Sequence, residues 1–199
     1  MVKRLFDILF SSLGLIVMFP ILIFSAIATK LDSQGPALYR GKRIGRYGKP
    51  FLIYKFRTMV INAEELGGPS TANDDPRLTR VGKWIRKHKL DELPQLINVL
   101  MGQMSFIGPR PQVPEDVALY TKEEKNILSV RPGMTDWASI KYHNEGEILR
   151  GSPDPDQAYI EKIRPGKIKL ELEYVRNYSF WVDLKILLKT IKTLFFTRI

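Results

Sequence analysis

Hydrophobic and polar positions are unevenly divided along the chain. Residues 8–28, ILFSSLGLIVMFPILIFSAIA, carry no charged side chain. As one straight α-helix this segment would reach roughly 31 Å, about the thickness of the hydrocarbon core of a bilayer. Three readings meet the pattern. A cleaved signal peptide would use Lys3 and Arg4 as its basic start and Ala26-Ile27-Ala28 as its cleavage site. The stretch is longer than the usual apolar core of such a peptide, and Asp7 at its entrance weighs against it. A spanning helix is the second reading and a re-entrant helix the third. Pro20 removes the backbone bond to the Ile16 carbonyl, which favours a kink. Lys3 and Arg4 precede the segment, and Lys30, Arg40, Lys42, Arg43, Arg46 and Lys49 follow it, with Asp32 the one acid between residues 30 and 50. Cations on both sides suit a segment that enters and leaves by the cytoplasmic face, and predict a cytoplasmic body. Composition alone leaves spanning and re-entry open.

The remainder is mixed. Residues 37–40 and 50–56 are β-rich runs around glycine-bearing turn residues, which predicts a hairpin. The spacing of Gly41, Gly45 and Gly48 matches neither a P-loop nor a dinucleotide fingerprint, so these glycines read as turn formers. Residues 65–77 read as a loop, and 78–90 and 92–101 as short helices meeting at Leu90-Asp91. The prolines and glycines of 105–156 predict long ordered loops, the usual carriers of function. Near the end, Leu184, Leu187, Leu188, Ile191, Leu194 and Phe195 follow helical spacing, Lys185, Lys189 and Lys192 take another face, and Phe180 and Trp181 stand at the start. Such a basic amphipathic helix is either interfacial or packed on the protein's own core.

Composition narrows the chemistry. At 199 residues and 22.9 kDa the chain is one domain, or one domain with a membrane element appended. A formal charge of +10 and a pI near 9.7 point to anionic partners: nucleic acid, a phospholipid surface or a phosphorylated substrate. The chain has no cysteine, hence no disulfide framework or thiolate nucleophile, and only His88 and His143 as histidines, too few for a multi-histidine zinc centre. A participating metal would be a hard, oxygen-bound ion such as Mg²⁺. Zinc fingers, an RNA-recognition signature and a clear helix-turn-helix are missing, which argues against nucleic acid.

The candidate chemistry sits in HKLDELPQLINVL, residues 88–100. Asp91 and Glu92 ahead of a proline read as an ordinary helix start, or as a carboxylate pair able to ligate Mg²⁺. Lys55, Arg57, Arg77, Arg80, Lys83, Arg86 and Arg110 supply cations, and arginine forks pair well with phosphate oxygens. Arg110 between Pro109 and Pro111, with Gly108 ahead, is a cation on a stiffened loop. Together these compose a pyrophosphate site. Individually, solvated charge on a basic membrane-facing surface explains most of them.

In order along the chain, KRLFDILFSSLGLIVMFPILIFSAIATKLDSQGPALYR, YKFRTM, DDPRLTRVGKWIRKHKLDELPQLINVLMGQMSFIGPRP and RPGMT resemble the bacterial sugar transferases, the monotopic polyprenyl-phosphate phosphoglycosyl transferases. The likeness runs from about residue 2 to 137 and more loosely through DLKILLKTI, and it fits the minimal catalytic form. It implies an α+β, mostly helical protein. Residues 1–30 would be a re-entrant membrane helix broken at Pro20. Residues 31–199 would be one cytoplasmic catalytic domain with a small β-hairpin and interfacial amphipathic helices, at the inner membrane of a bacterium. The implied reaction passes a sugar phosphate from a UDP-sugar to undecaprenyl phosphate through a covalent aspartyl intermediate, releasing UMP and leaving a polyprenyl-diphosphate-sugar, as the first membrane step of glycoconjugate synthesis (capsule, exopolysaccharide, O-antigen or glycoprotein). Asp91 would be the nucleophile, with Glu92 assisting it and both meeting Mg²⁺ or Mn²⁺. Lys55, Arg57 and Arg110 would handle phosphate, with Arg77 in the same cationic cluster. Membrane phospholipid is the further partner, and a homodimer is admitted. The alternative is a non-catalytic, membrane-anchored basic scaffold on anionic lipid. One departure stands out: where the family reads Pro-Gly-hydrophobic-Thr-Gly-Trp, this chain has Asp136 in place of the second glycine.

Overall fold

The apolar segment forms a single helix, α1 (Val2–Asp32), in a computed structural model that describes residues 2–196. It passes through Pro20 without interruption, in place of the expected break. A proline deletes one backbone bond, and the apolar turns on both sides hold the helix across it. The amphipathicity of α1 is inverted. Its fully enclosed residues are Asp7, Ser11, Ser25 and Thr29, whereas Ile16, Phe19, Phe24 and Ile27 face outward. Gly14 lies on the enclosed side, where a Cβ would stand 3.1 Å from Leu96 Cδ1. Such a continuous outward apolar surface is foreign to soluble monomers. By length and composition the helix can cross a membrane.

Both ends of α1 are bonded to the same body. Near its start, Lys3 Nζ donates to the Ile107 carbonyl (2.8 Å), the Tyr174 hydroxyl (2.9 Å) and Asp183 Oδ2 (2.7 Å). Asp7 Oδ1 accepts from Ser105 Oγ at 3.0 Å and Phe106 N at 3.1 Å. At its exit, Arg57 donates to Ser33 Oγ (2.6 Å), Ser33 O (2.9 Å) and Pro36 O (2.8 Å). Asp32 Oδ2 accepts from Val81 N at 2.9 Å.

The predicted hairpin is present, with strands β1 (Leu38–Ile44) and β2 (Pro50–Phe56) antiparallel from Leu38↔Phe56 to Ile44↔Pro50. Its first strand is longer than expected because Gly41 is accommodated within the ladder. Phe51 and Ile53 on the inner face of β2 pack on Val99 and Met104. Next come α2 (Arg80–Lys87), capped by the Thr79 side chain, and α3 (Gln95–Leu100). Both are shorter than the predicted helices, because a left-handed residue, Lys89 (φ 56°), and a 3₁₀ turn at Leu90–Glu92 separate them.

Residues 105–156 hold more regular structure than the expected loops. Strand β3 (Ser105–Ile107) pairs in parallel with β4 (Gly133–Thr135), and short helices α4 (Pro114–Ala118), α5 (Trp137–Lys141) and α6 (Glu145–Ile148) fill the rest. Helices α7 (Pro155–Lys162), α8 (Arg164–Asn177) and α9 (Phe180–Phe196) complete a mostly helical architecture. Ile107 of β3, Tyr174 of α8 and Ile186 of α9 are buried together at its centre. Helix α9 packs on the core along one face only. Val182, Ile186 and Leu187 pack on this core, while Trp181, Leu188 and Ile191 stay exposed. The side chains of Leu194 and Phe195 lie outside the described ones.

Candidate active site

Three backbone devices bring the site together. The first is the corner at Lys89, whose positive φ is uncommon for a residue with a Cβ and turns the chain sharply out of α2. It delivers Asp91 and Glu92 on the 3₁₀ turn that leads into α3. Asp91 caps neither helix. The position before α3 is Pro94, and among the described residues Asp91 Oδ1 is enclosed without a hydrogen-bond partner. The helix-start reading of Asp91 is thereby removed.

The second device is Asn98, fully buried on α3. Its Oδ1 accepts from Tyr54 N at 3.0 Å and its Nδ2 donates to Leu52 O at 2.8 Å. This side chain satisfies the open edge of β2 and holds the strand against α3. Lys55, one residue beyond Tyr54, arrives 3.7 Å from Glu92 Oε1.

The third device is the β3–β4 pair, which carries Arg110. Gly108 N donates to Thr135 O at 3.0 Å, and Gly133 N to Pro109 O at 2.8 Å. The backbones cross so closely that a Cβ on Gly133 would sit 2.1 Å from Gly108 N, which only glycine permits. Pro109 and Pro111 then fix the loop that presents Arg110, and its guanidinium forks over Glu92 through Nη1 (3.2 Å to Oε2) and Nη2 (to Oε1).

The two neighbouring carboxyls occupy opposite environments. Burial raises the Glu92 pKa, but the charges of Arg110 and Lys55 and the Arg110 bonds outweigh it and hold the carboxyl well below its usual range. For Asp91, burial and then the charge of Glu92 outweigh Lys55, Arg86 and Arg110, and the pKa rises. Burial, helped by Arg110, draws the Lys55 ammonium down to about 8 against the pull of Glu92 and Asp91. Arg110 is raised, foremost by Glu92. The arrangement is a desolvated carboxylate with an open oxygen, ringed by three cations and braced by a paired neighbour. Cations so placed suit a polyanion.

Of the predicted site residues, Asp91, Glu92, Lys55 and Arg110 come together. Arg57 is committed to Ser33 and Pro36 at the exit of α1. Arg77 is committed to Asp75 (2.7 Å) and to the Ala63, Gly68 and Ser70 carbonyls, where it pins the 63–75 loop. A phosphate role for either would require exchanging these partners. Asn98 escaped the sequence reading, and nothing in its neighbourhood of the sequence signalled it. Among the described residues no cluster of three or more potential metal-binding side chains is preformed. Mg²⁺ is commonly held by one or two carboxylates together with substrate phosphates. The open Asp91 oxygen beside Glu92 therefore fits a cation that arrives with a diphosphate.

Comparison with known proteins agrees with this chemistry. Over 203 residues the chain is 40% identical to an undecaprenyl-phosphate glucose phosphotransferase of Komagataeibacter xylinus, covering 98% of this chain and 36% of that protein. It is 38% identical over 197 residues to a UDP-N-acetylgalactosamine-undecaprenyl-phosphate N-acetylgalactosaminephosphotransferase of Aeromonas hydrophila, covering 97% of this chain and 43% of that one. An uncharacterized sugar transferase of Bacillus subtilis, EpsL, is 38% identical and matched over 96% of this chain and 85% of its own length. The chain thus spans less than half of the first two relatives. The bacterial sugar transferase family matches residues 1–197, and the chain belongs to that family.

Proposed function

We propose that this protein transfers a sugar phosphate from a UDP-sugar to undecaprenyl phosphate through a covalent intermediate on Asp91. The observation that carries the reading is the open, enclosed oxygen of Asp91 amid Lys55, Arg86 and Arg110. The Asp91 carboxylate attacks the phosphorus that bears the sugar, and the bond to the bridging oxygen breaks, releasing UMP. An oxygen of the lipid phosphate then attacks the same phosphorus and frees Asp91. Desolvation makes the Asp91 carboxylate a better nucleophile, and Lys55, Arg86 and Arg110 favour its ionised form against that burial. Lys55 and Arg110 hold the diphosphate oxygens as charge moves onto the leaving phosphate. Glu92 keeps both cations in register. Asp91 and Glu92 would hold Mg²⁺ or Mn²⁺, which supplies further neutralisation of phosphate charge when bound. The two-step course lets soluble donor and lipid acceptor use one site in turn.

The anchoring reading is that α1, bent at Pro20 while remaining helical, enters and leaves the inner membrane by the cytoplasmic face. Its outward apolar surface and the bonding of both its ends to one body support this. Cysteines placed singly near residues 2 and 32 should both be shielded from a membrane-impermeant thiol reagent in intact spheroplasts; labelling of the first alone would establish a span.

Incubation with UDP-sugars, undecaprenyl phosphate and Mg²⁺ should release UMP, and excess EDTA should abolish it. Without acceptor, label from the donor should be trapped on the peptide containing residue 91. Failure of every donor to yield UMP would favour the basic lipid-binding scaffold, and full activity in EDTA would remove the metal from the reading.

A further inference from the structure

A second group of buried carboxyls lies within reach of the Arg110 charge, and the reaction above makes no use of it. Asp136, at the start of α5, is fully enclosed. Its Oδ1 caps the helix by accepting from Ser139 N at 2.7 Å, and its Oδ2 has no partner among the described residues. Glu171, in the middle of α8, is also fully enclosed, and both of its oxygens lack partners among the described residues. The cations of its own helix whose charge reaches it are engaged elsewhere: Lys167 pairs with Glu145, and Arg164 with Glu124 at 3.4 Å. Glu171 lines a narrow cleft, with room for little more than one water-sized group, together with Gln112, Tyr120, Tyr159, Arg164 and Lys167. Gln112 is two residues from Arg110, whose charge reaches both Asp136 and Glu171.

We infer that Asp136 and Glu171 recognise a hydrogen-bond donor group, a hydroxyl or an amide N–H, on the sugar of the donor substrate. Neither residue serves the fold in the way its chemistry allows. A cap needs one oxygen, and Ser, Thr or Asn would supply it at Asp136. At Glu171 an apolar side chain would fill the space without burying an unpaired acid. Enclosed acceptors left open are acceptors held for something that arrives. Burial raises both carboxyls, Glu171 well above its ordinary value with Asp136 adding to it. Position selects the sugar. The attacked phosphorus carries it, Arg110 forks over Glu92, and Gln112 and Tyr120 line both the hollow beside Arg110 and the cleft beside Glu171. Asp136 also stands where the resembled pattern has glycine, which has no side chain with which to read a substituent.

The inference rests on the donor being a UDP-sugar, and its test separates the two ideas. Full-length protein in lipid nanodiscs would be assayed with an accepted UDP-sugar and its single-deoxy analogues, and with UMP as a competing ligand. Wild type should lose about tenfold or more in kcat/KM for one deoxy position. Glu171→Gln and Asp136→Asn, both close in shape, should lower activity on the intact donor and abolish much of that discrimination, with UMP inhibition unchanged. A uniform loss across all donors, an unchanged ranking, or weakened UMP inhibition would overturn the sugar site while leaving the transfer reaction intact. If wild type turns over no donor and saturation-transfer NMR detects no UDP-sugar binding, both the reaction and the site are overturned.

Discussion

Two regions within reach of the Arg110 charge bury carboxyl groups in different ways. On one side, Glu92 is forked by Arg110 and approached by Lys55 at 3.7 Å, so its charge is paid for in full and its pKa lies well below the usual range. On the other, Asp136 and Glu171 are completely enclosed with open oxygens and raised pKa values. Asp91 follows Glu92's neighbour in space but the second pattern in chemistry: it too is enclosed, open and raised. The contrast separates two uses of a buried acid. A paired carboxylate holds geometry, because breaking the pair strands its cations. An open carboxyl weakens the fold, and its return must come from a substrate.

The largest effect should follow from Asp91→Asn. Asp91 makes no cap, so the amide should leave the thermal midpoint unchanged or slightly higher, since an enclosed charge is removed. The amide is a poor nucleophile toward phosphorus, and transfer should fall by several orders of magnitude. Retained binding of the UDP-sugar with no label trapped on residue 91 would place Asp91 with the open group. Near-normal turnover in a folded variant would move it to the paired one.

Glu92→Gln should act by a different route. The shape is kept, but Arg110 and Lys55 lose the charge that registers them. Displacing a positioning group by about an ångström costs on the order of a hundredfold in rate. Leaving two half-buried cations unpaired should also destabilise the fold by about 2 kcal/mol. A variant with lost metal response but unchanged stability would instead make Glu92 chiefly a metal ligand. The pH profile sharpens this. Lys55 binds phosphate as the ammonium, so kcat/KM should fall as pH rises through about 8. Glu92 pulls that value upward, so in Glu92→Gln the alkaline limb should move to lower pH. Lys55→Arg should remove the limb from this range.

These contrasts show what could be read before the fold was known. Long apolar or alternating runs announced α1 and β2, and the proline-bracketed Arg110 announced a fixed cation. Lys55 stood out, together with Arg57, only by the resemblance of YKFRTM to the family, and Arg110 by its flanking prolines and the same resemblance. The parallel β3–β4 pair was not legible, because three-residue strands show no alternation and their pairing depends on Gly108 meeting Gly133, 25 positions further along. Nor could the sequence divide its arginines. Arg57 and Arg77 resemble Arg110 in type and differ only in the backbone carbonyls that the fold brings to them. Asp136 was visible as a departure from a pattern, yet its role waits on Glu171, 35 positions further along.

The smallest effect tests how far the rule of open oxygens extends. Ser25 and Thr29 on the inner face of α1 are also enclosed, and their hydroxyls have no partners among the described residues. By analogy with Glu171 they would await a ligand. A hydroxyl differs from a carboxyl in one respect that matters here: by rotating χ1 within a helix it can bond a carbonyl one turn earlier in its own backbone. The cost of leaving it open is correspondingly small, and no ligand is needed to recover it. Ser25→Ala and Thr29→Val should therefore change stability by no more than about 1 kcal/mol in either direction. Turnover and the ranking of deoxy donors should match wild type. The comparison that sharpens the rule is Glu171→Gln measured in the same assay, where ranking should shift. If the two α1 variants altered donor ranking as strongly, an unpartnered oxygen would mark looseness of the enclosed interior in general, and the distinction between paired and open acids would lose its functional meaning.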